Sequence, residues 1–229
     1  MKSEIVNLEP ARQLLERHKI HTDPYPSGFR GLNLIIQPDV FNPDLTKVSG
    51  FLADNITITP EAKVLDMFTG CGVIAILAAK NGASSVAGVD ISAAAVNCAK
   101  HNAFLNGVKD SVRFIQSNLW EYIPTTEKYD IITANPPLLP VHPETLLEMA
   151  IADSPDMNVT KGFLQECKTH MADKNSIVYM TFSNACKAYH PNPVVFIERV
   201  AQKSGLKIDG VIELDVGYEI YRVIKFMLN

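Results

Sequence analysis

The feature that most constrains the fold is a regular alternation of short apolar runs and helix-like segments from residue 63 onward. Such an alternation is typical of a parallel sheet covered by helices on both faces. The runs that we interpret as strands are residues 64–68, 85–90, 112–116, 129–134 and 176–182. The segments that we interpret as helices are residues 72–80, 93–105, 159–172 and 193–204. The sequence therefore predicts an α/β fold with a doubly wound, mostly parallel sheet.

The final segment, residues 206–228, reads as two long strands that are broken at Val216-Gly217. Strands joined by so short a connection pair antiparallel, so we expect a hairpin at one edge of the sheet. This hairpin brings the predicted sheet to seven strands. Residues 61–229 are thus expected to form one Rossmann-like domain.

Residues 1–60 have a different pattern and are predicted to form a small N-terminal cap. An amphipathic helix is expected over residues 11–18, followed by a loop that is broken by Pro and Gly as far as Gly31. A hairpin is predicted over residues 32–41, turning at Pro38-Asp39, and a helix over residues 45–55 would link the cap to the core.

Composition narrows the class of protein. The chain has 229 residues, of which 47% are hydrophobic and 20% charged, as in an ordinary globular protein. No apolar run approaches the roughly 18 residues of a membrane span, and the opening residues MKSEIVNLEP contain no uninterrupted apolar stretch for a secretory signal. We therefore expect a cytoplasmic protein without membrane contact. The net charge of -4 argues against broad, nonspecific binding of phosphate.

The cysteines predict neither a metal site nor disulfides. The four of them lie far apart and form no CxxC pair: Cys71, Cys98, Cys167 and Cys186. We expect buried free thiols and no bound metal.

A glycine-rich turn joins the first predicted strand to the first predicted helix. Gly70, Gly72 and Ala75 match the pattern GxGxxA, in which glycine permits positive φ and a close approach of the backbone to a ligand. Asp90 ends the second strand, twenty positions after Gly70, where a carboxylate can accept hydrogen bonds from the hydroxyls of a ribose. Both NAD and S-adenosylmethionine contain such a ribose, so these residues alone leave the two cofactors open.

Asp66 lies in the first strand just before the turn. A carboxylate at this place is less expected for NAD. It can face the cationic sulfonium and ammonium groups of S-adenosylmethionine, or it can hold the loop by accepting hydrogen bonds from backbone N–H groups. Both interpretations stand.

The motif Asn135-Pro136-Pro137 follows the fourth predicted strand, at the carboxyl edge where open α/β sheets bind ligands. The amide oxygen of Asn135 can accept one hydrogen of a planar NH2 group, and the carbonyl of Pro136 can accept the other. Holding both hydrogens directs the nitrogen lone pair at an electrophilic methyl group. The pattern therefore predicts a site that positions an amine or amide nitrogen.

The segments 66–75 and 88–92 and the motif Asn135-Pro136-Pro137, in this order and spacing, resemble class I S-adenosylmethionine-dependent methyltransferases of the small-methyltransferase-domain group. That group includes the release-factor glutamine methyltransferases and the ribosomal RNA guanine-N2 methyltransferases. The segment 31–43 is similar to the hairpin that precedes their cofactor domain. The likeness extends over residues 29–229.

The resemblance implies a role for each matching residue. Those implied on the methionine side of the cofactor are Asp66, Thr69, Gly70 and Gly72. Asp90 is implied as the ribose ligand and Ile91 as the contact to adenine, while Asn118 stands where the group usually has an Asp for the adenine amine. Asn135, Pro136 and Pro137 are the implied catalytic motif.

One position departs from the group. Leu138 stands directly after the motif, where the group usually has an aromatic residue that stacks on the acceptor. Another ring would have to replace it, and Trp120, Phe29 and Phe41 are the candidates that we considered.

These observations favour an N-methyltransferase that uses S-adenosylmethionine and acts on a planar NH2 group. The acceptor is a protein glutamine amide or the exocyclic amine of a nucleic-acid base, so the partner is a protein or RNA. Three alternatives remain: a small-molecule methyltransferase, a noncatalytic cofactor-binding module, and an NAD-dependent oxidoreductase.

Overall fold

The computed structural model describes residues 9–229. The elements of its N-terminal part are α1 (Glu9–Lys19), β1 (Tyr25–Phe29), β2 (Leu32–Ile36) and α2 (Val48–Asn55). A 3-10 turn over Pro43–Leu45 precedes α2. The prediction that the chain has no secretory signal was made from residues 1–10, and residues 1–8 lie outside the described residues.

The predicted position of the N-terminal hairpin is wrong. The hairpin is formed by β1 and β2, which pair antiparallel with Phe29 opposite Leu32. Its turn lies at Arg30 and Gly31, whose φ values of 47° and 80° are both left-handed, the geometry that two-residue hairpin turns require. The chain does turn at residues 38–39, since the N–H of Val40 bonds the carbonyl of Gln37. It then enters the 3-10 turn instead of a second strand.

The remaining strands form the predicted seven-stranded sheet. They are β3 (Lys63–Met67), β4 (Ser85–Asp90), β5 (Val112–Gln116), β6 (Ile131–Ala134), β7 (Ile177–Ser183), β8 (Leu206–Asp215) and β9 (Ile220–Leu228). Their order across the sheet is β5-β4-β3-β6-β7-β9-β8. The first five strands in that order are parallel, whereas β9 pairs antiparallel with both β7 and β8. The predicted fold class, with a C-terminal antiparallel hairpin at the sheet edge, is confirmed.

The helices after β3 are α3 (Val73–Lys80), α4 (Ala93–Leu105), α5 (Leu146–Met149), α6 (Asn158–His170) and α7 (Pro193–Lys203). Ser92 begins α4 as predicted, since its side chain accepts a hydrogen bond from the N–H of Ala95. The short helix α5 was not predicted. Its capping box was readable in the sequence, because Thr145 and Glu148 have the required spacing.

Alternate residues of the central strands point to opposite faces of the sheet, and each face has its own apolar core. Val64 and Ile131 lie in one core, which also contains Leu34 of β2. Leu65 and Ile132 lie in the other, against α6 and α7. Because β3 to β7 are parallel, their carboxyl ends meet at one edge of the sheet.

No helix within residues 9–229 is long and apolar enough to cross a membrane. The four cysteine side chains are all buried, as expected, and their thiols are free. Over the same described residues, no three or more His, Cys, Asp or Glu side chains are grouped to hold a metal ion.

Candidate functional site

The glycine turn after β3 has the conformation that its sequence predicts, with φ values of 55° at Gly70 and 90° at Gly72. The two glycines are needed for different reasons. A Cβ at Gly72 would lie 2.9 Å from the Cβ of Ala99, so packing against α4 excludes any side chain there. A Cβ at Gly70 would meet nothing within 4 Å. The open space for a ligand is therefore beside Gly70.

Asp66 lies beneath this turn and is 2% exposed. Its carboxylate accepts hydrogen bonds from the hydroxyls of Thr69, at 2.7 Å, and Thr133, at 2.8 Å. Burial raises the pKa of Asp66 to about 6, although both hydroxyls act to lower it. Asp66 thus ties the turn to β6 through Thr69 and Thr133.

Asp90 at the end of β4 also holds the turn. Its two carboxylate oxygens accept hydrogen bonds from the N–H groups of Gly70 and Ser92, each at 2.9 Å. Burial raises the pKa of the Asp90 carboxyl, and these backbone hydrogen bonds act to lower it. Each oxygen keeps a second lone pair, so Asp90 can still accept hydrogen bonds from two hydroxyl groups.

A narrow cavity of about 100 Å³, which we call the β4 cavity, opens beside Asp90. Ile91 and Asn118 line it from the carboxyl ends of β4 and β5, and Pro137 lines it from the loop after β6. Ile91 presents an apolar side chain that is 46% exposed. The structure therefore brings together Asp90, Ile91 and Asn118, which are distant in the sequence.

Two residues that line the β4 cavity have a backbone conformation that the sequence did not indicate. Phe68 and Leu119 have φ values of 63° and 50°, which bulky side chains rarely adopt. Strained residues of this kind cluster at ligand sites, where the surrounding structure holds them in place. Their positions, directly before Thr69 and directly after Asn118, mark this cavity as a candidate binding site.

Asn135 directly follows β6. Ala134, the last residue of β6, pairs with Met67, the last residue of β3, so Asn135 lies beside the start of the glycine turn. Its side chain is held from two sides. The hydroxyl of Thr181 on β7 donates to Asn135 Oδ1 over 2.6 Å, and Asn135 Nδ2 donates to the hydroxyl of Ser49 on α2 over 3.1 Å. The amide orientation is therefore set in advance, and Oδ1 keeps one free lone pair.

A second and larger cavity of about 470 Å³, which we call the β6 cavity, lies on the other side of the motif. Asn135 and Pro136 line it, together with Leu138. Its other walls come from α1, from the segment that leads into α2, from the loop after the motif, from residues 184–188 after β7 and from the turn between β8 and β9. The sequence motif thus separates the two cavities, because Pro137 faces the β4 cavity and Pro136 the β6 cavity.

The rings considered as substitutes for an aromatic at position 138 lie in different places. Phe29 and Trp120 are buried in the cores, and Trp120 stacks on His170 with 4.4 Å between ring centroids. Phe41 lines the β6 cavity. Tyr218, which the sequence analysis did not consider, also lines it.

Sequence reasoning missed the residues that complete the site. Ser49 and Thr181 are 86 and 46 positions from Asn135, and Glu219 arrives from the C-terminal hairpin. A lone Ser, Thr or Glu carries no signal of its own in a sequence. The helix α1 was predicted, but its place as a wall of the β6 cavity was not.

Residues 46–176 match the family model of ribosomal protein L11 methyltransferase (PrmA), which is more than half of the chain. The chain belongs to this family. Membership confirms the predicted methyltransferase class.

Individual relatives share parts of the chain. A protein of Methanocaldococcus jannaschii, provisionally named a protein N5-glutamine methyltransferase, is 40% identical over 110 residues, which are 48% of this chain and 53% of the relative. A ribosomal RNA small subunit methyltransferase C of Pseudoalteromonas atlantica is 34% identical over 143 residues, which are 62% of this chain and 37% of the relative. The matches thus span about half or less of these relatives' own length.

Solved structures share the fold. The 16S rRNA N2 G1207 methyltransferase (RsmC) of T. thermophilus, solved with AdoMet and guanosine, superposes with a TM-score of 0.63. The superposition covers 90% of this chain and 50% of that one, at 20% sequence identity. At this identity the likeness bears on the fold, which both proteins share.

Proposed function

We propose that the protein is an S-adenosylmethionine-dependent N-methyltransferase that acts on a planar NH2 group. The observation that carries the proposal is the position of the motif between two cavities: Pro137 lines the β4 cavity, while Asn135 and Pro136 line the β6 cavity. A methyl donor bound on one side and an acceptor bound on the other would meet at this motif.

The residues around the β4 cavity fit the cofactor. The space beside Gly70 is open, and the free lone pairs of Asp90 can accept hydrogen bonds from the two ribose hydroxyls. The exposed face of Ile91 suits the adenine ring, and the amide oxygen of Asn118 can accept a hydrogen bond from the adenine amine. The carboxylate of Asp66, which lies beneath the glycine turn, would attract the sulfonium and ammonium groups of the cofactor through the loop. The bound cofactor supplies an electrophilic methyl group on a sulfonium.

Asn135 and Pro136 position the acceptor. The free lone pair of Asn135 Oδ1 takes one hydrogen of the NH2 group and the carbonyl of Pro136 takes the other. The nitrogen lone pair then forms the new C–N bond while the C–S bond breaks with its electron pair on sulfur, and the nitrogen releases one proton to water. Thr181 and Ser49 hold the Asn135 amide in the required orientation before the reaction, so no free energy is needed to reorient it in the transition state.

The acceptor class proposed is a protein glutamine amide or the exocyclic amine of a nucleic-acid base. The names of the relatives support it, since they concern protein glutamine and ribosomal RNA. A cytoplasmic location follows from the same proposal, because that is where such acceptors are made. A small-molecule acceptor is the second candidate, favoured by the volume of the β6 cavity, which lies within the range of about 300 to 1,000 Å³ that is typical of small-ligand sites.

Two measurements test the proposal. Titration calorimetry with S-adenosylmethionine, S-adenosylhomocysteine and NAD should show binding of the first two only, and binding of NAD alone would contradict it. Transfer of a labelled methyl group into a cell extract, followed by separate RNase and protease digestion and by analysis of the small-molecule fraction, should place the label in one acceptor class.

A further inference from the structure

The turn between β8 and β9 presents an exposed aromatic ring to the β6 cavity. Tyr218 lies in this turn and lines the cavity together with Asn135 and Pro136, yet it is 66% exposed. Gly217, directly before it, has a left-handed φ of 90°, and the N–H of Gly217 bonds the side chain of Asp215. A ring that stays open to solvent inside a cavity is available to a ligand.

The turn is fixed at this edge of the sheet. Asn184 follows β7, lines the same cavity and bonds β9 twice. Its N–H donates to the carbonyl of Ile220 over 3.3 Å, and its Oδ1 accepts from the N–H of Ile220 over 2.9 Å. Burial raises the pKa of the Tyr221 hydroxyl, and Glu219 and Tyr218 raise it further, so the phenol groups of Tyr218 and Tyr221 lie near each other. Tyr218 is therefore held beside the cavity.

The other rings that line the cavity have less free surface. Phe41 is partly buried and stacks on His18 with 6.1 Å between ring centroids. Tyr221 is buried. Among residues 9–229, no aromatic ring pairs with the ring of Tyr218. Tyr218 is thus the ring of this cavity that has the most surface left for a ligand.

The grip proposed for Asn135 and Pro136 leaves one motion of the acceptor unrestrained. Two hydrogen bonds in the plane of an NH2 group fix its edge, but the group can still tilt about the line that joins them. Such a tilt turns the nitrogen lone pair away from the methyl donor, and the transfer needs the reacting atoms aligned. Leu138 lines the cavity directly after the motif, but its branched side chain offers no flat surface.

We propose that Tyr218 is an acceptor-binding residue whose ring lies against the face of the flat group that carries the NH2, and that it prevents this group from tilting. The inference rests on the proposed function, in which Asn135 and Pro136 hold the NH2 hydrogens. Contact between a ring and another flat unsaturated group is favourable through dispersion and through the quadrupole of the ring. The ring of Tyr218, and not its hydroxyl, is the part that acts on the acceptor.

The experiment compares the wild type with Tyr218→Ala, which removes the ring, and with Tyr218→Phe, which keeps it. Tyr122→Ala is the matched control, because Tyr122 also lies in a turn, is 65% exposed and lines neither the β4 cavity nor the β6 cavity. The probe is the transfer of a labelled methyl group from S-adenosylmethionine into a cell extract. Initial rates are measured against extract concentration, with an extract that lacks the added protein as the blank.

We expect Tyr218→Ala to lower kcat/KM at least about 10-fold, while Tyr218→Phe and Tyr122→Ala stay within about 2-fold of the wild type. The Kd for S-adenosylhomocysteine should not change in the Tyr218 variants, because Tyr218 does not line the β4 cavity. Their Tm should also stay at the wild-type value, since the ring is exposed.

A second substitution separates contact with the acceptor from a role in folding. Leu138→Phe puts a ring into the same cavity from another position, and in the Tyr218→Ala background it should raise kcat/KM at least about 3-fold. The inference is overturned if Tyr218→Ala keeps the wild-type kcat/KM, if Tyr218→Phe loses as much as Tyr218→Ala, or if Leu138→Phe restores nothing. A wild type that binds no S-adenosylhomocysteine or transfers no label would instead overturn the proposed function.

Discussion

The hydroxyl of Thr181 donates a hydrogen bond of 2.6 Å to Oδ1 of Asn135, across neighbouring strands of the sheet. Thr181 is fully buried, so no water competes with its hydroxyl for the hydrogen bond to Asn135 Oδ1. The free lone pair of Oδ1 then points where an acceptor NH2 group is expected. A residue far from Asn135 in the sequence thus sets the orientation on which the proposed reaction depends.

Replacing Thr181 by Val, which has nearly the same shape, should lower kcat about 10-fold, the effect of losing a hydrogen bond worth roughly 1 to 1.5 kcal/mol. The Kd for S-adenosylhomocysteine should not change, because Thr181 does not line the β4 cavity. Thr181→Ser restores the hydroxyl and should restore most of kcat. Steady-state kinetics on the identified acceptor check this, and a Val variant with wild-type kcat would remove Thr181 from the mechanism.

Asp90 and Asn135 should separate cofactor binding from turnover. Asp90→Ala removes the acceptor for ribose hydroxyls and should abolish measurable binding of S-adenosylhomocysteine in titration calorimetry. Asn135→Ala should leave that binding intact and lower methyl transfer at least about 100-fold, since positioning of the nitrogen is lost. Because Asp90 also holds the N–H groups of Gly70 and Ser92, the Tm of the Asp90 variant is measured as a control. Full methylation by Asn135→Ala would refute the positioning mechanism.

The two glycines of the turn should respond differently to alanine. Gly72→Ala places a Cβ 2.9 Å from the Cβ of Ala99 at a φ of 90°, and we expect a loss of about 3 kcal/mol in unfolding free energy. In a chain of this length the Tm should fall by roughly 6–12 °C. Gly70→Ala meets no atom, so its loss should be about 1 kcal/mol, with weaker cofactor binding as the main effect. Similar losses of stability in the two variants, measured by thermal unfolding, would show that packing against Ala99 is not decisive.

Asp66 should make cofactor affinity depend on pH. Burial raises its pKa to about 6, above its value in the unfolded chain. The contribution of Asp66 to stability is therefore greatest below its unfolded pKa and is lost as the pH rises through about 6. Binding of a cation favours the ionised form instead, so affinity for S-adenosylmethionine should fall as the pH drops from 7 to 5. Asp66→Asn should bind more weakly and with a flatter dependence, and a wild-type affinity that is constant over this range would contradict the expected charge interaction.

Local patterns in the sequence determined much of this protein. Apolar runs alternating with helical segments predicted the seven-stranded sheet, because strand and helix periods are properties of the backbone. The conformations at Gly70 and Gly72 and the cap at Ser92 follow from neighbours within a few residues. The roles of Asp90 and Asn135 remain predictions. Their placement at the same edge of the sheet follows from the sequence, because each lies at the carboxyl end of a parallel strand.

Only the tertiary structure decided which distant side chains meet there. Ser49, Thr181 and Glu219 come from α2, β7 and the C-terminal turn, and they reach Asn135 or its cavity through strand register and helix packing. The N-terminal hairpin was placed wrongly because a turn at Pro38-Asp39 is a strong local signal, while pairing depends on the left-handed conformations at Arg30 and Gly31. Hydrogen bonds and cavities are made between elements, so their partners are set by the packing of the whole sheet and not by nearby sequence.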